Sequence, residues 1–375
     1  MIPFNRASIT KTENKYIFDA LTKKLCGDGE YTKMIYESFS NKLNVKNMLL
    51  TTSCSHALDM TAILANLKQG DEVVVPSYTF VSTVNAFALR GGIPVFCEVE
   101  KKTMNIDADK IEELITPKTK AIYPVHYAGV ICDMDKIMDI ARRHNLIVIE
   151  DAAQAVGSVY KSKYPAGTIG NMGCYSFHET KNYSMGEGGA IIVKDKELFK
   201  QAEIIREKGT DRSQFIRGEV DKYTWKAIGS SFLPSDVLAA MLYGQMERFD
   251  EIMQKRMKVW NAYNDAFSEL EKQEKLIRPY IPEYSTHNAH MYYIFLPNKE
   301  IRDNMILKLR ERGVQSVFHY IPLHTSPMGR GFGYKEGDLP ITEEYAGRLL
   351  RLPMWADLAE DDIEAVINAV KEILR

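Results

Sequence analysis

Between Gly70 and Asp151 short apolar runs alternate with segments of helical period, and this rhythm restricts the fold more than any other feature of the chain. Glu72-Val73-Val74-Val75-Pro76, Pro94–Val99, Ala121–His126 and Leu146–Ile149 read as strands. A helix is expected near residues 107 to 116. Another runs from Asp133 to His144, where Met134, Ile137, Met138 and Ala141 share one face. Strands that alternate with helices predict a largely parallel sheet covered on both faces, whose ligands collect at the carboxyl ends of the strands. The last run ends in Glu150-Asp151, which puts a carboxylate at such an end.

Lys181, thirty positions later, stands in Gly173-Cys174-Tyr175-Ser176-Phe177-His178-Glu179-Thr180-Lys181-Asn182, followed by Gly186-Glu187-Gly188-Gly189 and an apolar strand. A lysine between a strand and a glycine-rich turn is held on rigid backbone. Desolvation or a nearby cation lowers the pKa of such an amine and makes it a nucleophile toward an aldehyde. A strand-end aspartate and an anchored lysine together meet the needs of pyridoxal 5'-phosphate (PLP): the acid pairs with the pyridine nitrogen and the amine holds the aldehyde carbon.

The chain has 375 residues, 45% of them hydrophobic and 26% charged, enough for a large domain over residues 1–245 and a smaller one over 246–375. Lys and Arg number 48 against 50 Asp and Glu, so no basic field draws nucleic acid or an anionic membrane. Five scattered cysteines without metal-ligand spacing fit reduced thiols, and no bound metal is expected. With no apolar run of membrane-spanning length and no leader-like amino terminus, a soluble cytoplasmic protein is expected.

Other stretches admit two readings each. Residues 14 to 42 form two helical pieces around a turn at Cys26–Glu30. Met48–Thr51 then runs into Thr52-Ser53-Cys54-Ser55-His56 and a helix, whose start either binds phosphate or is simply capped. Tyr78 and Phe80 either stack on a planar ring or fill the core. Residues 208 to 226 carry Lys208, Arg212, Arg217, Lys222 and Lys226 with Tyr223 and Trp225, either a loop for an anionic, base-bearing ligand or a solvated face. Ser235 caps a long helix with a core stripe through Trp260 and Phe267. Beyond it, strands at 290–296 and 314–320 and helices at 300–312 and near Ile363–Ile373 form a small α+β lobe. Phe318-His319-Tyr320 leaves its strand with polar aromatic groups.

Over nearly its whole length the sequence resembles the PLP-dependent nucleotide-sugar aminotransferases of the DegT/DnrJ/EryC1/StrS type. The likeness is carried by Pro76–Thr83, Glu150-Asp151-Ala152-Ala153-Gln154, Ser176–Asn182 and Gly186–Gly189. It implies a fold type I α/β architecture, with a mostly parallel seven-stranded sheet in the large domain and a small C-terminal α+β domain. It also implies that Lys181 bonds the cofactor and moves the proton, Asp151 pairs with the ring nitrogen, Gln154 bonds the ring hydroxyl and Phe80 stacks on the ring. Ser55, His56 and Ser176 would hold the phosphate, joined by Ser231 from a second subunit of a homodimer whose sites lie at the interface. Ser231 stands where many relatives have Asn. Tyr183, Lys208, Arg212, His319 and Tyr320 would contact substrate. A narrower likeness, in Val125–Val130 and in Arg206–Trp225, implies glutamate as amino donor and a dTDP-linked 4-keto-6-deoxyglucose as acceptor. The amino-dideoxygalactose formed would serve surface polysaccharide synthesis of O-antigen or enterobacterial common antigen type. The amino-dideoxyglucose epimer, and a regulatory cofactor binder without turnover, remain alternatives.

Overall fold

The computed structural model describes residues 1–375. Its strands are β1 (Met48–Thr51), β2 (Glu72–Pro76), β3 (Ile93–Cys97), β4 (Thr119–Ile122), β5 (Ile147–Asp151), a short hairpin of β6 (Val159–Tyr160) and β7 (Tyr164–Pro165), β8 (Met172–Ser176), β9 (Gly189–Val193), β10 (Tyr292–Phe295) and β11 (Leu349–Leu352). Seven of them form one sheet in the order β1-β9-β8-β5-β4-β2-β3. Only β9 runs against its neighbours, so the sheet is mostly parallel, as expected for fold type I.

The apolar runs lack polar alternation because both faces of the sheet are covered. Val74, Ile122 and Val148 point into one core, together with Ile35, Ile137 and Leu242 of helices Glu30–Leu43, Met134–His144 and Asp236–Glu247. Their neighbours Val73, Val75, Ala121 and Ile149 point into the other, against Leu58, Phe87 and Ile205 of helices Cys54–Leu64, Val81–Ala88 and Lys196–Arg206. Each such valine, leucine, isoleucine or phenylalanine contributes about 1.5–3 kcal/mol on burial, which is what fixes the register.

A third core holds the small lobe. The second half of helix Phe249–Ala266 packs with helices Lys299–Glu311 and Glu360–Ile373 on the antiparallel pair β10–β11, through Val259, Tyr263, Tyr292, Leu350, Val366 and Val370. Residues at the start of the chain join this lobe: Ile2 bridges Val314, and Met354 N–H donates to the Phe4 carbonyl at 3.2 Å. A domain division near residue 245 is our proposal. Met246 and Ile252 still pack with the large-lobe core, whereas Val259 and the residues after it pack with the small one.

Local expectations fail where a side chain is needed elsewhere. The helix expected near 107–116 is two short 3₁₀ turns, Ala108–Lys110 and Glu112–Leu114, because Pro117 disfavours helical backbone before it. Ser235 makes no side-chain cap. Instead the Asp236 carboxylate accepts from Tyr31 N (3.1 Å) and Thr32 N (2.9 Å), capping the distant helix Glu30–Leu43. The long helix is interrupted at Arg248 (φ −96°, ψ 14°), whose buried guanidinium pairs with Glu13 at 2.9 Å. Residues 314–320 form only isolated bridges, Val314 with Ile2 and Val317 with Arg351, and the chain beyond them turns His319 and Tyr320 into a cavity.

Candidate active site

The parallel strands deliver polar groups to a single edge. β5 ends on Asp151, β8 ends on Ser176, β2 leads into Thr79-Phe80, and β1 leads to Ser53, the N-cap of helix Cys54–Leu64. The reversed strand β9 begins at this edge with Gly189. Here a Cβ would lie 2.4 Å from Cys54 N, so only glycine lets β9 and the helix amino terminus approach this closely. Together with small-lobe residues Phe4, His290, His319, Tyr320 and Arg351, these groups enclose a cavity of ≈ 470 Å³. Lys181 and Asp151 both line it.

Asp151 is buried, and its two oxygens are fixed separately. Oδ1 accepts from Ala153 N at 3.1 Å, and Oδ2 accepts from Thr83 Oγ1 at 2.7 Å. Thr83 is itself 2.8 Å from the Thr79 hydroxyl. Behind the acid, the Asp151 carbonyl receives the His126 amide at 3.0 Å, and the buried His126 ring meets Glu150 at 2.9 Å. Thr83→Val removes one donor to a buried carboxylate and is expected to cost about 1.5–3 kcal/mol of stability. Urea unfolding against wild type measures that loss.

Lys181 follows a turn closed by its own N–H to the His178 carbonyl (2.9 Å). Burial lowers the pKa of its amine and Arg351 lowers it further, while the nearby Asp151 carboxylate acts the other way. Burial also holds the Cys54 thiol well above its usual range, so it is neutral. A lysine whose folded pKa is depressed releases its proton on folding, which costs stability below its unfolded pKa of about 10.4 and costs nothing above it. Lys181→Met in cofactor-free protein is therefore expected to raise stability at pH 7. The gain should shrink as pH approaches about 10.4, and denaturation midpoints across that range measure it.

His319 and Tyr320 stack at 3.6 Å between ring centroids. The Tyr320 hydroxyl accepts from Gln154 Nε2 (2.9 Å), and Gln154 Oε1 accepts from Ala128 N (2.7 Å), which leaves Gln154 one free amide hydrogen. Ser55 and Ser82 hydroxyls lie 2.7 Å apart on the wall, and the Phe80 ring is half exposed at the mouth.

The structure corrects His56 and Tyr183, and it places Lys208, Arg212 and Ser231 outside the cavity of their own chain. His56 is not on the cavity wall: its amide donates to Ser53 Oγ (3.1 Å), its ring bonds the Thr52 hydroxyl and packs against Phe232, and the helix presents Ser53, Cys54 and Ser55 in its place. Tyr183 is core, stacked on Phe249 at 4.4 Å. Lys208 and Arg212 pair with Glu207 outside this cavity. Ser231 is exposed and also outside it. Thr83 and Arg351 were missed. Thr83 stands four residues after Thr79, one helical turn on, and Arg351 interrupts the apolar run Leu349-Leu350-Arg351-Leu352.

This donor set fits a phosphorylated pyridine aldehyde. The first-turn amides of Cys54 and Ser55 have no intrahelical acceptor and stand beside hydroxyls, which suits a phosphate. A buried acid suits a ring nitrogen, and a desolvated amine suits an aldehyde.

The sequence pattern of the DegT/DnrJ/EryC1/StrS aminotransferase family matches residues 7–371. The chain belongs to that family. This aminotransferase is 34% identical over 367 residues to the GDP-perosamine synthase of Caulobacter vibrioides, covering 96% of this chain and 95% of that one. It is 32% identical over 382 residues to the spore coat polysaccharide biosynthesis protein SpsC of Bacillus subtilis, covering 100% and 97%. Among solved structures, the aminotransferase TlmJ from Streptoalloteichus hindustanus superposes with a TM-score of 0.91 at 30% identity, covering 100% of this chain and 99% of that one. The family's aminotransferases depend on PLP, and PLP is the cofactor of this one. No helix of the chain is long and apolar enough to cross a membrane.

Proposed function

We propose that the protein transfers the amino group of L-glutamate to C4 of dTDP-4-keto-6-deoxy-D-glucose. The products are 2-oxoglutarate and dTDP-4-amino-4,6-dideoxy-D-galactose, used in the cytoplasm for surface polysaccharide synthesis. The observation that carries the reaction class is the meeting of Lys181 and Asp151 on one cavity beside a free helix amino terminus. Support for a nucleotide-sugar acceptor comes from the sequence likeness and from relatives named for perosamine and for spore-coat polysaccharide synthesis.

PLP bound here would supply an aldehyde that exchanges amino groups and a ring that accepts electron density during proton transfer. The chain's own residues do the rest. Asp151, fixed by Thr83 and Ala153, would hold a proton on the ring nitrogen. Cys54 and Ser55 amides with the Ser55 and Ser176 hydroxyls would hold the phosphate. Phe80 would stack on the ring, and the free Gln154 hydrogen would bond the ring hydroxyl. The Lys181 amine takes the proton from glutamate Cα in the first half-reaction and delivers one to sugar C4 in the second. Burial supports this role, since it keeps a larger share of the amine unprotonated.

We also propose a homodimer in which a second copy brings Ser231, Lys208 and Arg212 to the cavity mouth, since none of these reaches the cavity of its own chain. Incubation of holoenzyme with glutamate and the keto sugar tests the whole reading. The expected product shows the small H3–H4 NMR coupling of the galacto configuration. A large coupling would assign the gluco epimer, and absence of any aminated sugar would refute the acceptor assignment.

A further inference from the structure

Arg351 carries a guanidinium that no acidic residue of the chain answers. It lies on β11, and its backbone is fixed by exchange with Val317: Arg351 N donates to the Val317 carbonyl (2.8 Å), and Val317 N donates back (3.2 Å). The side chain lines the same cavity as Lys181 and stands over the Phe4 ring at 4.6 Å. Its Nε is buried without any hydrogen-bond partner. Each buried arginine has an acidic or carbonyl partner: Asp28 for Arg206, whose Nε is likewise unbonded, Glu13 for Arg248, the carbonyls of Ala289 and His290 for Arg256, and Asp303 for Arg302. The polar neighbours of Arg351 are the phenols of Tyr78, Tyr127 and Tyr320, which burial keeps protonated, so they offer no negative charge.

An unpaired cation in such a place is costly unless a ligand brings the counter-charge. We infer that Arg351 binds a carboxylate of the amino-acid donor. This rests on the aminotransferase reading above and adds the subsite that selects the donor. The planar guanidinium fork matches a carboxylate in two parallel hydrogen bonds. Position also favours the donor over the nucleotide. The carbon that loses its proton to Lys181 bears the donor's α-carboxylate one bond away, so that anion must enter the cavity that Lys181 and Arg351 share. The diphosphate of a nucleotide sugar hangs from C1, across the ring from C4, and so lies toward the mouth.

The test compares wild-type, Arg351→Gln and Arg351→Lys holoenzymes. Glutarate, which has both carboxylates and no amine, is titrated by calorimetry; glutamate and keto-sugar half-reactions are followed by the cofactor spectrum. For Arg351→Gln we expect the resting spectrum to be kept and glutarate affinity to fall about 30-fold. The apparent glutamate constant should rise by about the same factor, while the keto-sugar half-reaction changes less than about threefold. Arg351→Lys should recover part of the glutarate affinity, and it decides the comparison if the Gln variant does not fold. Glutarate and glutamate constants within about threefold of wild type would overturn the inference, as would equal losses in both half-reactions. A wild-type holoenzyme whose spectrum is unchanged by any amino acid would instead defeat the aminotransferase reading, and the glutarate titration would still report on Arg351.

Discussion

Replacing Lys181 by alanine is expected to lower kcat by about 10⁴-fold, the upper end of what a positioned proton carrier contributes, and to remove the near-visible absorbance of the bound cofactor. Both effects follow from one atom. The amine stands on a turn between β8 and the glycine-rich entry to β9, in the cavity that Asp151 also lines. Cys54 cannot replace it, because burial keeps its thiol protonated. Steady-state assay of the amino transfer and an absorbance scan of purified Lys181→Ala would measure the two effects together. An unchanged spectrum would remove Lys181 from the centre of the site.

Asp151→Asn is expected to lower kcat by about 10²–10³-fold with the fold intact, the scale seen when one preorganised charge-stabilising group is lost from an active site. The amide preserves shape, and it can still accept from Thr83 Oγ1 or Ala153 N. What it loses is the charge that holds a proton on a ring nitrogen. Circular dichroism should match wild type while single-turnover rates fall in both half-reactions, because the acid serves the ring and not a particular substrate. A drop confined to one half-reaction would argue that the carboxylate touches substrate instead.

Much of this was legible in the chain because strand pattern and site position are coupled in a parallel sheet. Runs such as Val73–Val75 and Ile147–Ile149 announce strands buried on both faces, and whatever follows such a strand sits at the ligand edge. Asp151 is legible that way and Lys181 from its place between a strand and a glycine-rich turn, whereas Ser176 and the stacking role of Phe80 rest on the resemblance. Resemblance carried His56 and Tyr183 into the site, and packing put them elsewhere. His56 has its amide committed to Ser53, and Tyr183 fills the contact with Phe249. Arg351 showed only as an arginine among leucines, a pattern that ordinarily marks a strand's solvent face.

The order of residues determined by itself the parallel sheet, the acid and the amine, since periodicity and strand ends are local properties that neighbouring side chains impose on the backbone. Tertiary structure alone decided which groups share the cavity. Phe4, His319, Tyr320 and Arg351 lie far from Asp151 in the chain, and they meet it only when the small lobe packs against the large one. Burial and the want of a counter-charge at Arg351 exist only after that packing, because desolvation depends on everything that surrounds an atom and not on its neighbours in the chain.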